Sequence, residues 1–269
     1  MNMPLLVDCH THTHYSDGAS TLKENFDAAR ACGLSVIACT DHLTLPQELD
    51  PVGEVSVSES DLPLLLREVA SLREQYPDLE IIQGFECDYY PGCEENIARW
   101  SKGATFLLGS VHMLDSCWID DPADLSYWDT HSTQFIWEYY FETWAQACFS
   151  PAHFHSMAHP DLVMLFGRCP SDEIRRKLYK DAALAAAEAH VHIEINTSGR
   201  NKALKIYYPH EELLREFCQA KVPITVGSDA HVSTRIGDHI REAYAFAYNI
   251  GYKSIDVPQI DGSWRTIEL

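Results

Sequence analysis

No stretch of the chain reaches the roughly 18 uninterrupted apolar residues of a membrane span, and the first residues have neither the basic start nor the apolar core of a signal peptide. A soluble, cytoplasmic protein is expected. The nine cysteines are scattered, none forms a Cys-x-x-Cys pair, and their odd number suits a reducing compartment better than a disulfide framework. Most are expected as small core residues. Positive charge is scarce: 20 Lys and Arg against 40 Asp and Glu leave a formal charge of −20, which argues against nucleic acid or an anionic membrane as partner. No Gly-x-Gly-x-x-Gly turn is present, so the dinucleotide fingerprint of open doubly wound sheets is missing. Low-complexity segments, hinge-like linkers and close repeats are absent as well. The 269 residues, 46% apolar, are therefore expected to form a single domain over 1–269 with a substantial core. None of these features speaks to oligomeric state.

What the chain does have is histidine, 14 in all, and the positions matter more than the number. An apolar run, Pro4 to Val7, opens into Asp8-Cys9-His10-Thr11-His12-Thr13-His14-Tyr15-Ser16-Asp17-Gly18. Alternate residues of a strand share a face, so His10 and His12 can present two imidazoles to one ion, and a turn at Asp17-Gly18 can bring a carboxylate back over them. A helix is expected from the capping box Thr21-Leu22-Lys23-Glu24 to Gly33. Strand Ser35 to Thr40 then delivers Asp41-His42. After a polar loop, Pro46 to Ser58, a helix over 61–76 precedes strand Leu79 to Phe85, which ends on Glu86. Strand Thr105 to Val111 ends on His112, and an aromatic-rich connection, Leu114 to His131, leads to a helix over 133–148.

The second half repeats the scheme. Strand Ser156 to Ala158 delivers His159-Pro160-Asp161, and Ser171 caps a helix to Ala189 with Asp172 and Glu173 opposing its dipole. Strand Val191 to Ile195 carries Glu194 and Asn196 near its end, a helix over 210–220 follows, and strand Pro223 to Val226 ends in Gly227-Ser228-Asp229-Ala230-His231. A helix over 237–249 and a strand over Trp264 to Leu269 complete the reading. Seven strands alternating with helices, each delivering His, Asp or Glu at its end, predict a closed parallel α/β barrel whose functional groups gather at the C-terminal ends of the strands.

His10, His12, Asp17, His42, Glu86, His112, His159, Asp229 and His231 are too many ligands for one ion. Six imidazoles and three carboxylates suit two or three borderline divalent ions, namely zinc, manganese or iron. Glu86, on an interior strand, can bridge two of them. In this arrangement hydroxide between the bridged ions is the nucleophile, and His231, Asp229 or a metal-bound water protonates the leaving oxygen, so that Glu86, Asp229 and His231 are expected to carry the chemistry on a small anionic substrate. Arg168 and Arg200, in loops after strands, are expected to grip the anionic group of the substrate, with Lys202, Lys205 and Arg235 as weaker candidates. Asp8, Asp41 and Glu194 are expected to fix imidazole tautomers. Trp118, Tyr127 and Trp128, with Asp115, Asp120 and Asp121, are suited to cover the site and meet a cationic amine or imidazole.

The stretches Asp8 to His12 with Ser16-Asp17-Gly18, Thr40-Asp41-His42, Gly84-Phe85-Glu86, Gly109-Ser110-Val111-His112, Ala158-His159-Pro160 and Gly227 to His231 closely resemble the polymerase and histidinol phosphatase superfamily. That resemblance implies a distorted seven-stranded (β/α)7 barrel and a trinuclear centre. It implies one ion on His10, His12, Glu86 and Asp229, a second on Glu86, His112 and His159, and a third on Asp17, His42 and His231. The opening stretch and Glu194-Ile195-Asn196-Thr197-Ser198-Gly199 look most like the histidinol-phosphate phosphatases of histidine biosynthesis, which implies hydrolysis of L-histidinol phosphate to L-histidinol and phosphate. A broader phosphoesterase acting on other phosphomonoesters or nucleotides is the alternative. A zinc amidohydrolase would also use His-x-His but would want a bridging lysine where this chain has His112, and an inactive metal-binding module would have little use for nine intact ligands.

Overall fold

The computed structural model describes residues 5–269; Pro4 of the expected first strand lies outside the described residues. Seven of the apolar runs form β1 (Val7–Asp8), β2 (Val36–Cys39), β3 (Glu80–Asp88), β4 (Phe106–Ser110), β5 (Ser156–Met157), β6 (His192–Asn196) and β7 (Ile224–Gly227), side by side in chain order in one sheet. Every neighbouring pair is parallel. Runs such as Val36-Ile37-Ala38 are buried throughout, as a parallel strand requires when one face fills the interior and the other lies under helices.

The two edges of the sheet meet just beyond β1 and β7. Cys9 N–H donates to Val226 O (3.0 Å), Asp229 N–H donates to His10 O (2.8 Å), and Thr11 pairs with Ala230. The result is a nearly closed, distorted barrel of seven parallel strands. Gly227 sits at this seam because a Cβ there would collide with the Glu194 carboxylate and the Cβ of His10. Gly18 is needed for a similar reason, since a Cβ would lie 2.7 Å from Thr13 N.

The chain returns between strands through α1 (Leu22–Cys32), α2 (Leu62–Arg73), α3 (Glu94–Trp100), α4 (Ser126–Thr130), α5 (Thr133–Cys148), α6 (Asp172–Ala189) and α7 (Glu211–Gln219), and α8 (Ile240–Ile250) follows β7. The expected capping box is present: Thr21 Oγ1 accepts from Glu24 N–H, the Glu24 carboxylate accepts from Thr21 N–H, and Gly33 ends α1 in the left-handed conformation. Ser171 likewise caps α6.

Two features depart from the sequence reading. β3 runs through Asp88, so Glu86 lies inside the strand and not beyond it. The connection after β4 folds into a small hairpin, Met113–Leu114 against Cys117–Trp118, followed by α4. The expected final strand is present as β9 (Trp264–Glu268), outside the barrel sheet, where it pairs antiparallel with β8 (Ser254–Pro258). Trp264 of this hairpin stacks on His192, with ring centroids 3.6 Å apart, and meets Phe106 edge-on.

Candidate metal centre

The nine sequence-designated ligands converge on one cleft at the C-terminal ends of the strands. His10 and His12 leave β1, His42 follows β2, Glu86 rises from β3, His112 follows β4, His159 follows β5, and Asp229 and His231 follow β7. Glu86 is central and buried. Its Oε2 lies 3.1 Å from His10 Nε2 and 3.4 Å from His12 Nε2, while its Oε1 lies 2.8 Å from His159 Nε2 and 3.6 Å from His112 Nε2. Nε2 atoms of two imidazole pairs face one another closely, His10 with His12 at 3.0 Å and His112 with His159 at 3.2 Å. At the mouth, Asp17 Oδ2 is 3.2 Å from His231 Nε2, and Asp17 Oδ1 is 3.8 Å from His12 Nδ1 and 3.9 Å from His42 Nε2. Asp229 Oδ1 lies 3.3 Å from His12 Nε2, and its Oδ2 accepts from Ser198 Oγ and Asn196 Nδ2.

These distances resolve into donor groups fit for cations: His10, His12 and Glu86; Glu86, His112 and His159; His12, Asp17, His42 and His231; and His42, Asp88 and His112. The buried His12 Nδ1, which has no hydrogen-bond partner, fits the same reading. So do the electrostatics. Burial disfavours charge on His10, yet Glu194, Glu86 and Asp229 outweigh it and hold the imidazole well above its ordinary pKa. Against burial, Asp229 and Glu86 push His12 up to about 10, and Asp88 and Glu86 push His112 up to about 10. Burial would neutralise Glu86 and Asp229, but the surrounding imidazoles drive both well below the carboxylate range. So concentrated an anionic field demands positive charge, and imidazole nitrogen with carboxylate oxygen is the donor set of borderline divalent metals.

Of the carboxylates expected behind imidazoles, Glu194 acts so: its Oε1 is 2.8 Å from His10 Nδ1 and its Oε2 accepts from His159 N–H. Asp8 and Asp41 do not. Asp8 accepts from Ser228 N–H, Ser228 Oγ and Gly237 N–H, and Asp41 from Thr13 and Ser16, so both brace loops. Asp88, which the sequence reading passed over, lies 2.7 Å from His112 Nδ1. The alternation Glu86-Cys87-Asp88 was its signal, since a strand continued two residues further puts Asp88 on the face of Glu86.

The cleft has a volume of about 330 Å³, and its walls include Val55, Trp118, Asp120, Asp121, Leu162 and Lys202 besides seven of the ligands, with His10 and His12 fully buried behind them. Arg168 and Arg200 are not among the lining residues. Arg168 is drawn away by the Asp129 carboxylate and Trp128 O, each 3.0 Å from its guanidinium, and Arg200 by Lys205 O and the ring of Tyr207. Arg235 pairs with Asp238 and Asn201. Lys202 remains the lysine or arginine of the lining among the described residues. Tyr127 and Trp128 are buried, and Asp115 accepts from Tyr127 and Tyr139 outside the cleft. No helix among the described residues is long and apolar enough to cross a membrane.

The PHP domain family matches residues 8–198. A protein of Deinococcus radiodurans described as a probable histidinol-phosphatase is 25% identical over 93% of this chain and 95% of its own length. The histidinol-phosphatase of Bacillus subtilis is 26% identical over 86% of this chain and 95% of its own. Among solved structures, a histidinol phosphate phosphatase from Lactococcus lactis, complexed with zinc, L-histidinol and phosphate, superposes with a TM-score of 0.81. It is 19% identical, with 97% of this chain and 98% of that one covered; the likeness is one of fold.

Proposed function

Because the chain belongs to the PHP domain family, we propose that it is a metal-dependent phosphomonoesterase that hydrolyses L-histidinol phosphate to L-histidinol and phosphate. The observation that carries this reading is the central position of Glu86, whose two oxygens face two separate sets of imidazoles. His10, His12, Glu86 and Asp229 would hold one divalent ion, Glu86, His112 and His159 a second, and Asp17, His42 and His231 a third. Zinc, manganese or iron so bound would neutralise phosphoryl charge and bring the pKa of a water toward neutrality.

The chain's own groups complete the chemistry. Hydrolysis takes one proton from the attacking water and delivers one to the departing alkoxide. Asp229, anchored by Ser198 and Asn196, is the acceptor we assign, and His231, with its side chain 39% exposed at the mouth, stands on the route to the leaving oxygen. Lys202 supplies the cation facing the phosphate, in place of Arg168 and Arg200. Trp118, Asp120 and Asp121 offer an aromatic face and two carboxylates to the amine and imidazole of the alcohol portion.

Initial rates of phosphate release test the reading, with L-histidinol phosphate set against a sugar phosphate, a nucleotide and an aryl phosphate at equal metal loading. A kcat/KM for L-histidinol phosphate at least tenfold above the others is expected. Equal turnover of all four would leave a phosphoesterase of broad specificity.

A further inference from the structure

Asp88 stands two residues beyond Glu86 on β3, on the same face of the strand and with its side chain wholly enclosed. Its Oδ1 meets Nδ1 of His112 at 2.7 Å. Its Oδ2 has no hydrogen-bond partner, and neither has Nδ1 of His42, which lies 3.8 Å from this oxygen and 3.3 Å from Glu86 Oε2. Each atom left alone carries a desolvation penalty, and a small movement of either ring or carboxylate joins them.

The two imidazoles turn their other nitrogens in different directions. His112 presents Nε2 toward His159 and Glu86, at 3.2 and 3.6 Å, whereas His42 presents Nε2 toward Asp17 at 3.9 Å. A neutral imidazole has a single lone pair, so an Nε2 that binds an ion leaves Nδ1 as a donor in need of an acceptor. One carboxylate with two oxygens lies between two such donors.

We propose that Asp88 is a positioning residue that accepts Nδ1–H from both His112 and His42 and thereby couples two ions. Its two oxygens fix both tautomers, and so tie the ion on Glu86, His112 and His159 to the ion on Asp17, His42 and His231. The inference rests on the multinuclear reading above. Glu194 provides the contrast, because it meets a single imidazole, that of His10, and spends its other oxygen on the His159 N–H and the Asn196 amide.

The test is metal retention, with no substrate present. The parent, Asp88→Ala, Asp88→Asn and Glu194→Gln are loaded with Zn2+, dialysed against buffers of graded free Zn2+, and their bound ions counted, folding being monitored by circular dichroism. In Asp88→Ala two ions weaken together, each by about 10- to 100-fold, the range for loss of such a partner. In Asp88→Asn, whose amide has one oxygen to accept with, one ion weakens. In Glu194→Gln one ion weakens and the coupled pair is retained. Weakening of one ion or none in Asp88→Ala overturns the coupling, and so does a uniform loss across all of them. A parent that keeps fewer than three ions overturns the trinuclear reading itself, and the coupling with it.

Discussion

Oε1 of Glu194 lies 2.8 Å from Nδ1 of His10, and both side chains are fully buried. The carboxylate thus fixes the tautomer of the first imidazole of the cleft and leaves its Nε2 lone pair for an ion. Glu194→Gln is expected to lower metal affinity and kcat/KM by about 10- to 100-fold. Rates measured across a Zn2+ titration would separate the two effects, and unchanged values would remove Glu194 from the site.

Glu86→Ala removes the one carboxylate that faces both imidazole sets. With several kcal/mol of charge stabilisation at stake, kcat/KM should fall by on the order of 10³-fold or more. Chelation of the parent should abolish phosphate release, and zinc or manganese should restore it. An Ala variant that bound metal and turned over substrate like the parent would contradict a bridging role.

Lys202→Met should raise KM for phosphomonoesters by about tenfold, the worth of one charge-assisted hydrogen bond. Arg168→Met, which breaks the link to Asp129 outside the cleft, should leave KM within about twofold and act on thermal stability instead. Steady-state kinetics of the two variants side by side decide between the lysine and the arginine as phosphate partner.

Asp120→Asn and Asp121→Asn are expected to raise KM for L-histidinol phosphate several-fold while sparing the phosphate monoester of an uncharged alcohol. A parallel loss on both substrates would place these acids in general field effects rather than in recognition of a cationic group.

Asp50 organises the loop that brings Val55 to the cleft: its carboxylate accepts from the backbone of Gly53, Glu54, Val55 and Ser56 and from Ser56 Oγ. Burial opposes ionisation, but these bonds prevail and hold its pKa below the ordinary carboxylate value. A depressed folded pKa means that the stabilisation is fully present above about pH 3.9, the unfolded value, and is lost as pH falls through the folded value. Asp50→Asn should therefore cost about 2 kcal/mol at pH 7. Urea unfolding of both proteins should show that gap constant from pH 7 to 5 and closing in stronger acid.

Most of the barrel was legible because each strand is a short apolar run and the donor follows it, a pattern set by local chemistry alone. The gaps lie where partners are distant in sequence. Nothing near Arg168 announces that Asp129 will hold it, and nothing near Asp41 announces that its oxygens will serve Thr13 and Ser16 in place of an imidazole. The hairpin after β4 escaped for a different reason: Asp115 and Ser116 both take the left-handed conformation with no glycine to signal the turn. Asp88 was missed through a boundary, since ending β3 at Phe85 hid the two-residue alternation that points it into the cleft.

The seam between β1 and β7 joins the beginning of the barrel to its end through His10 O and Asp229 N–H, two residues of the same proposed ion site. During synthesis, His10 and His12 emerge more than two hundred residues before the carboxylate that completes their coordination. Until then the nascent chain holds a half-site whose grip on a divalent ion must be weak. If the proposed ion is held there, its tight capture would follow closure of the seam, and slow exchange of that ion would report a shut ring of strands.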